Sequence, residues 1–216
     1  MRKEGFLLSF LRVSHIKKTT RVEGPGLRYT IWVQGCPIKC KGCFNPHTWD
    51  ERGGTLMDIN DIFDDITETL MHKPELEGVT FLGGEPFSQA QVLSLLGTKI
   101  KKLNLSVVTF SGYPYEKLRN SKNSHWQALL NVTDLLIDGP YVESLHDLSR
   151  PWVGSTNQQY RFLTDVYHHK KEELLAIDNK LEICIHPNGT ISLNGMASSL
   201  DLTELTWLED CEDEDQ

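Results

Sequence analysis

Four short apolar runs, separated by segments with helical spacing, restrict this chain to a narrow set of architectures. Residues 28–34 (RYTIWVQ), 78–82 (GVTFL), 105–110 (LSVVTF) and 134–137 (DLLI) are rich in β-branched, aromatic and aliphatic side chains, the pattern of strands covered on both faces. After the first run, Ile59, Ile62, Phe63, Ile66 and Leu70 recur at helical intervals, with Asp58 placed to cap them. Val92, Leu95, Leu96 and Leu103 repeat that spacing after Ser88. Strand followed by helix, repeated, demands right-handed crossovers and an α/β parallel sheet, either open or curled into part of a barrel.

Beyond residue 160 the pattern changes. Residues 181–185 and 190–193 flank Pro187-Asn188-Gly189, a turn between two alternating runs, and predict a β-hairpin appendage. Residues 209–216 carry six acids and read as a tail that repels itself. His168-His169-Lys170-Lys171 reads as a solvated stretch, since adjacent histidines lack ligand spacing. No internal repeat or long linker divides the 216 residues.

With 22 Lys and Arg against 30 Asp and Glu, the formal charge is −8, which argues against a broad face built for nucleic acid. No apolar stretch is long enough for a membrane span or a signal peptide, so a cytoplasmic protein is expected. In a reducing compartment, clustered thiols read as metal ligands or reactive groups before disulfides.

Three of the five cysteines, Cys36, Cys40 and Cys43, form C-x3-C-x2-C directly after the first run, where α/β folds place their ligands. Three thiolates so close repel one another unless a cation takes up their charge. A zinc ion could add His47 as a fourth ligand and close the site, which would make the chain an interaction module. Alternatively, three cysteines hold a [4Fe-4S] cluster and leave one iron open to a small molecule. One strand later, Gly83-Gly84-Glu85-Pro86 offers glycines where a ligand could approach backbone, followed by an acidic acceptor. Cys184 reads as a buried structural thiol, and Cys211 lies in the acidic tail.

The segments Gly24-Pro25-Gly26-Leu27-Arg28, Gln34 to Trp49 and Gly83-Gly84-Glu85-Pro86 closely resemble radical S-adenosylmethionine enzymes, and among them the activating proteins of anaerobic ribonucleotide reductase. That resemblance covers residues 10–162, leaving 163–208 as an extension with the hairpin and 209–216 as the tail. It implies a partial (β/α) TIM-like barrel, a [4Fe-4S] cluster on Cys36, Cys40 and Cys43, and S-adenosylmethionine bound by Gly42, Cys43, Phe44, Gly83, Gly84 and Glu85. Gly42 stands where many relatives carry an aromatic residue, and in using glycine the chain resembles the reductase-activating branch. The implied reaction is reductive cleavage of S-adenosylmethionine to a 5′-deoxyadenosyl radical, which abstracts hydrogen from a backbone glycine of a glycyl-radical protein. A flavodoxin- or ferredoxin-type donor would supply the electron. A stand-alone maturase of a peptide or small molecule is the alternative enzyme. Segments 109–113 and 136–141 resemble pocket-lining stretches of the family. Residues 152–158 (WVGSTNQ) resemble its Trp-Arg-Gly-Ser-Ser-Asn-Gln segment, with Val153 in place of the arginine. On this reading a larger residue at Gly84 weakens cofactor binding at near-normal iron content.

Overall fold

A computed structural model describes residues 9–185 and 188–196. Seven strands form one sheet: β1 (Phe10–Thr20), β2 (Leu27–Val33), β3 (Thr55–Asp58), β4 (Leu76–Gly83), β5 (Ser106–Ser111), β6 (Leu135–Asp138) and β7 (Gln159–Phe162), in the order β3-β1-β2-β4-β5-β6-β7. The central strands β2, β4, β5 and β6 are parallel. They are the four apolar runs, each displaced by no more than two residues. Antiparallel β1 and β3 extend one side and antiparallel β7 the other, so β3 and β7 are the edges of the sheet. The fold is therefore mixed α/β around a parallel centre.

Helices α1 (Ile59–His72), α2 (Ala90–Lys101), α3 (Tyr115–Arg119) and α4 (Ser124–Val132) follow β3, β4 and β5. Asp58 caps α1 as expected, its carboxylate accepting from the Asn60 N–H at 2.8 Å. Ile59, Ile62 and Ile66 bury on one stripe. In α2 the buried stripe is Ala90, Leu93, Leu96 and Ile100, while Leu95 is 47% exposed and Leu103 lies beyond the helix end. The cause is a 3-10 turn at Pro86–Gln89, capped by Glu85, which resets the helix start to Ala90.

All seven residues of β2 are buried, so both faces of the sheet are covered. Tyr29, Ile31, Val79, Phe81 and Val107 point into the main core with the helices. On the other face, Val108, Leu135 and Ile137 pack with Trp152, Val153, Tyr167 and Leu174. Below them sits Arg28, fully buried without a carboxylate partner in its hydrogen-bond set. Its guanidinium instead donates to Thr80 Oγ1 (2.7 Å), Val79 O (2.6 Å), Tyr167 Oη (2.8 Å), Pro25 O, Ser106 Oγ and Ser106 O, which meets the condition for burying a cation.

Strands β8 (Leu181–Ile185) and β9 (Ile191–Gly195) form the hairpin, preceded by the short helix α5 (Lys171–Leu175). Gly189 has φ +80°, and Asn188 Oδ1 accepts from the Thr190 N–H. Pro187, the acidic tail and Cys211 lie outside the described residues. Among the described residues no helix is long and apolar enough to cross a membrane.

Candidate cluster and cofactor site

The C-terminal ends of β2 and β4 run side by side past the last ladder pair. Gly84 donates its N–H to Val33 O (2.8 Å) and Glu85 donates to Gly35 O (2.9 Å), so the Gly83-Gly84-Glu85 segment lies against the residues that lead into Cys36. The glycines are required by this close approach. Gly83 has φ +104°, and a β-carbon there would stand 2.7 Å from Trp32 Cα. At Gly84 a β-carbon would collide with the Gly35 carbonyl.

A cavity of about 350 Å³ opens at this end. Cys36, Cys40, Cys43, Phe44 and Trp49 line one side, and Trp32, Leu82, Phe110 and Ile137 of the inner sheet face form its floor. Gly83, Gly84, Glu85, Ser111, Gly112, Gly139, Tyr141 and Gln158 complete the strand-end rim. Of the residues singled out from sequence, all of the metal set reach this cavity, as do Phe44, Gly83, Gly84 and Glu85. Gly42 does not. It sits at φ +73° on the exposed loop, where a β-carbon would press on Tyr141. His47 is exposed and absent from the lining, so the three cysteines are not joined by it. The 109–113 and 136–141 segments contribute Phe110, Ser111, Gly112, Ile137, Gly139 and Tyr141.

The cysteine loop is held by its own backbone. Lys39 adopts φ +52°, and the Cys43 N–H donates to Cys40 O at 3.2 Å. Asn45 N–H points at Cys43 Sγ, 3.4 Å away. All three thiols are free and half-buried. Burial pushes the Cys36 and Cys40 thiols up, although backbone N–H groups near each sulfur pull the other way. Thiolates in this setting therefore need a cationic partner. Among the described residues no three His, Cys, Asp or Glu side chains are drawn together as ligands of one ion. Three thiols lining one cavity, with N–H donors at the sulfurs, suit a cluster held by several thiolates. The buried indole Nε1 of Trp49, which lines the same cavity, has no hydrogen-bond partner among the described residues. The donor set thus fits a [4Fe-4S] cluster and an adjoining polar ligand.

Lys39 and Lys41 are exposed, and Lys41 pairs with Glu143 at the surface. Glu85 is almost fully buried. Oε1 accepts from Phe87 N–H and Ser111 Oγ, and Oε2 from Gly112 N–H, each at 2.9 Å. Burial nonetheless pushes its carboxyl up to about 7. The carboxyl therefore ties the end of β4 to the end of β5 while facing the cavity. In the 152–158 segment, Gln158 Oε1 accepts from the Gly154 N–H (2.8 Å) and Asn157 Nδ2 donates to Pro140 O (2.7 Å). Val153 is fully buried, an apolar core position where an arginine would need partners.

Sequence reasoning missed the far wall. Glu23, from the β1–β2 loop, and Leu193, Asn194, Gly195 and Met196 of the hairpin also line the cavity. Burial first, then the nearby Glu182 carboxylate, pushes Glu23 up to about 8, against one opposing hydrogen bond from the Gly195 backbone. Local spacing carries no trace of this wall, because it depends on how a segment some 160 residues away folds back.

Comparison with known proteins agrees with the thiol chemistry. Residues 22–161 match the 4Fe-4S single cluster domain family. The anaerobic ribonucleoside-triphosphate reductase-activating protein of Enterobacteria phage T4 is 31% identical over 155 residues, covering 68% of this chain and 92% of the phage protein. The protein of that name from Vibrio cholerae is 32% identical over 144 residues, covering 63% and 88%. The crystal structure of QueE from Escherichia coli is 18% identical with a TM-score of 0.36 over 52% of this chain and 57% of that one, too slight a likeness to argue from.

Proposed function

The chain belongs to the 4Fe-4S single cluster domain family, together with the anaerobic ribonucleoside-triphosphate reductase-activating proteins, and we propose that it installs a glycyl radical on a reductase of that kind. It is a radical S-adenosylmethionine activating enzyme that works with a [4Fe-4S] cluster and S-adenosylmethionine. The observation that carries the site assignment is the single cavity shared by the three-thiol loop and the Gly83-Gly84-Glu85 rim.

In this reading Cys36, Cys40 and Cys43 would hold the cluster on one side of the cavity, with the cofactor bound beside it. When bound, the reduced cluster would supply one electron, and the cofactor that takes it up would supply the 5′-deoxyadenosyl radical that removes a hydrogen atom. The rest of the chemistry is positioning. The Gly83-Gly84-Glu85 rim and Phe44 bind the cofactor beside the thiols, and Gly42 shapes the loop that carries Cys40 and Cys43. Trp32, Leu82, Phe110 and Ile137 keep water from the floor. In this reading the sheet curves into part of a barrel, and a glycine-bearing loop enters at the strand ends. A flavodoxin- or ferredoxin-type protein is the proposed electron donor.

The test is anaerobic reconstitution of the full chain. About four irons per chain are expected, with 5′-deoxyadenosine formed under reductant. With the reductase encoded in the same genome added, a doublet radical signal should appear on the reductase. Cys36→Ala, Cys40→Ala or Cys43→Ala should each abolish cleavage, while Cys184→Ala retains it. Full turnover in any of the first three contradicts the cluster assignment. Cleavage with the reductase persistently silent points instead to a maturase of a peptide or small molecule.

A further inference from the structure

The hairpin is docked inside out. In an antiparallel pair, directly opposed residues share a face, and the register sets Ile183 opposite Leu193 and Ile185 opposite Ile191. The intervening residues Glu182, Cys184 and Asn194 turn toward β1. Glu182 accepts from Lys17 Nζ and Thr20 Oγ1, each at 2.7 Å. Asn194 Nδ2 donates to Thr20 Oγ1 at 3.0 Å, and Lys17 Nζ lies 3.5 Å from Cys184 Sγ. A two-stranded hairpin is marginal unless it buries an apolar face. This one instead presents its polar face to the body and leaves Ile183, Ile185, Ile191 and Leu193 exposed at 43, 76, 61 and 47%. A contiguous apolar patch of this kind marks a site that another protein covers.

Leu193 tells which protein. It belongs to the exposed patch and also lines the cavity that holds the cysteines. The patch therefore continues into the mouth through which substrate must pass, and a protein inserting a loop there lies over the hairpin. The hairpin also follows residue 161, where the family match ends, so it lies outside the matched segment. We propose that the face formed by Ile183, Ile185, Ile191 and Leu193 is the docking surface for the protein substrate, the reductase whose glycine loop enters the adjoining cavity. The proposal rests on the function argued above and adds to it the surface that recognises the partner.

The experiment uses the reconstituted full chain and the reductase from the same genome. Ile185→Thr/Ile191→Thr removes the two most exposed apolar side chains but keeps branched β-carbons that suit a strand, and neither residue lines the cavity. Ile185→Lys is the second variant. Affinity for the reductase should fall about tenfold or more in both, and radical yield should fall with it at sub-saturating reductase. Uncoupled 5′-deoxyadenosine formation under dithionite should match the wild type, as should turnover on a short glycine-loop peptide that reaches only the cavity. Unchanged reductase affinity in both variants overturns the docking surface and leaves the function standing. A wild type that cleaves the cofactor but neither binds nor activates the reductase removes the partner reading and the docking surface with it. A wild-type dimer that dissociates on Ile185→Lys would assign the face to a second copy. A matching loss of melting temperature in Ile185→Thr/Ile191→Thr and in a chain ending at Met196, with affinity intact, would assign it to residues 197–216. Either outcome overturns the proposal.

Discussion

Gly84 is fixed by backbone contact rather than by clearance for a ligand. The Gly35 carbonyl occupies the place of a β-carbon at 84, and the two chain ends are pinned by Gly84 N–H to Val33 O and Glu85 N–H to Gly35 O. A methyl group at 84 must push the residue immediately before Cys36. The sequence-based expectation of near-normal iron is therefore replaced: Gly84→Ala should lose iron and 5′-deoxyadenosine formation together. Iron and sulfide per chain after anaerobic reconstitution decide this, and a full iron complement with weakened cofactor binding would restore the clearance account. The cysteine spacing was legible because its chemistry is local, three thiols within eight residues. Trp49 Nε1 and Glu23 were not legible, because a buried donor or carboxyl gains meaning only from what the tertiary fold leaves beside it.

At the scale of elements, the hairpin closes over Glu23 and raises its carboxyl to about 8, by burial and by the Glu182 charge. Glu182 stays ionised because hydrogen bonds from Lys17 and Thr20 outweigh its own burial. The unfolded chain releases the Glu23 proton near its ordinary value of 4.5, whereas the folded chain keeps it to about 8. Between those values the native state binds more protons, so this group's contribution makes stability fall as pH rises through the window. Glu23→Gln removes that slope. Its melting temperature relative to wild type should climb from pH 5 to pH 8, and a difference that stays flat across the window would show that the hairpin does not seal the carboxyl. Elements with one consistent pattern were readable: the four parallel strands and the Asp58-capped α1. α2 was read out of phase because the Pro86–Gln89 turn shifts its start, exposing Leu95 and burying Leu93. β1, β3 and β7 escaped notice because they carry polar residues at partly covered positions.

For the molecule as a whole, the sheet has two faces to cover, and the family-like segment covers only one with helices. The inner face depends on chain beyond Phe162. Tyr167 is 5% and Leu174 7% exposed against Val108, Leu135 and Ile137, and Tyr167 Oη accepts from Arg28 and lies 2.6 Å from Ser106 Oγ. Asn179 adds a bond from the Trp152 N–H to its Oδ1 at 3.1 Å. Burying two such side chains is worth roughly 1.5–3 kcal/mol each, a large part of a total stability of about 5–15 kcal/mol. Without them Arg28 loses a partner it cannot replace with a carboxylate. The hairpin beyond Lys180 is held by the Lys17–Glu182 pair, partly exposed at 20 and 27%, which contributes about 1 kcal/mol or less, and by the Thr20 hydrogen bonds with Glu182 and Asn194. A chain ending at Phe162 should therefore melt about 10 °C or more below the full chain, or fail to fold. A chain ending at Lys180 should melt above the chain ending at Phe162, but lose both the Glu23-dependent pH slope and the affinity for the reductase. Equal melting of the two truncated chains would mean that the inner face does not rely on Tyr167 and Leu174. Separate outcomes would divide the extension into a segment that completes the core and a hairpin that serves recognition.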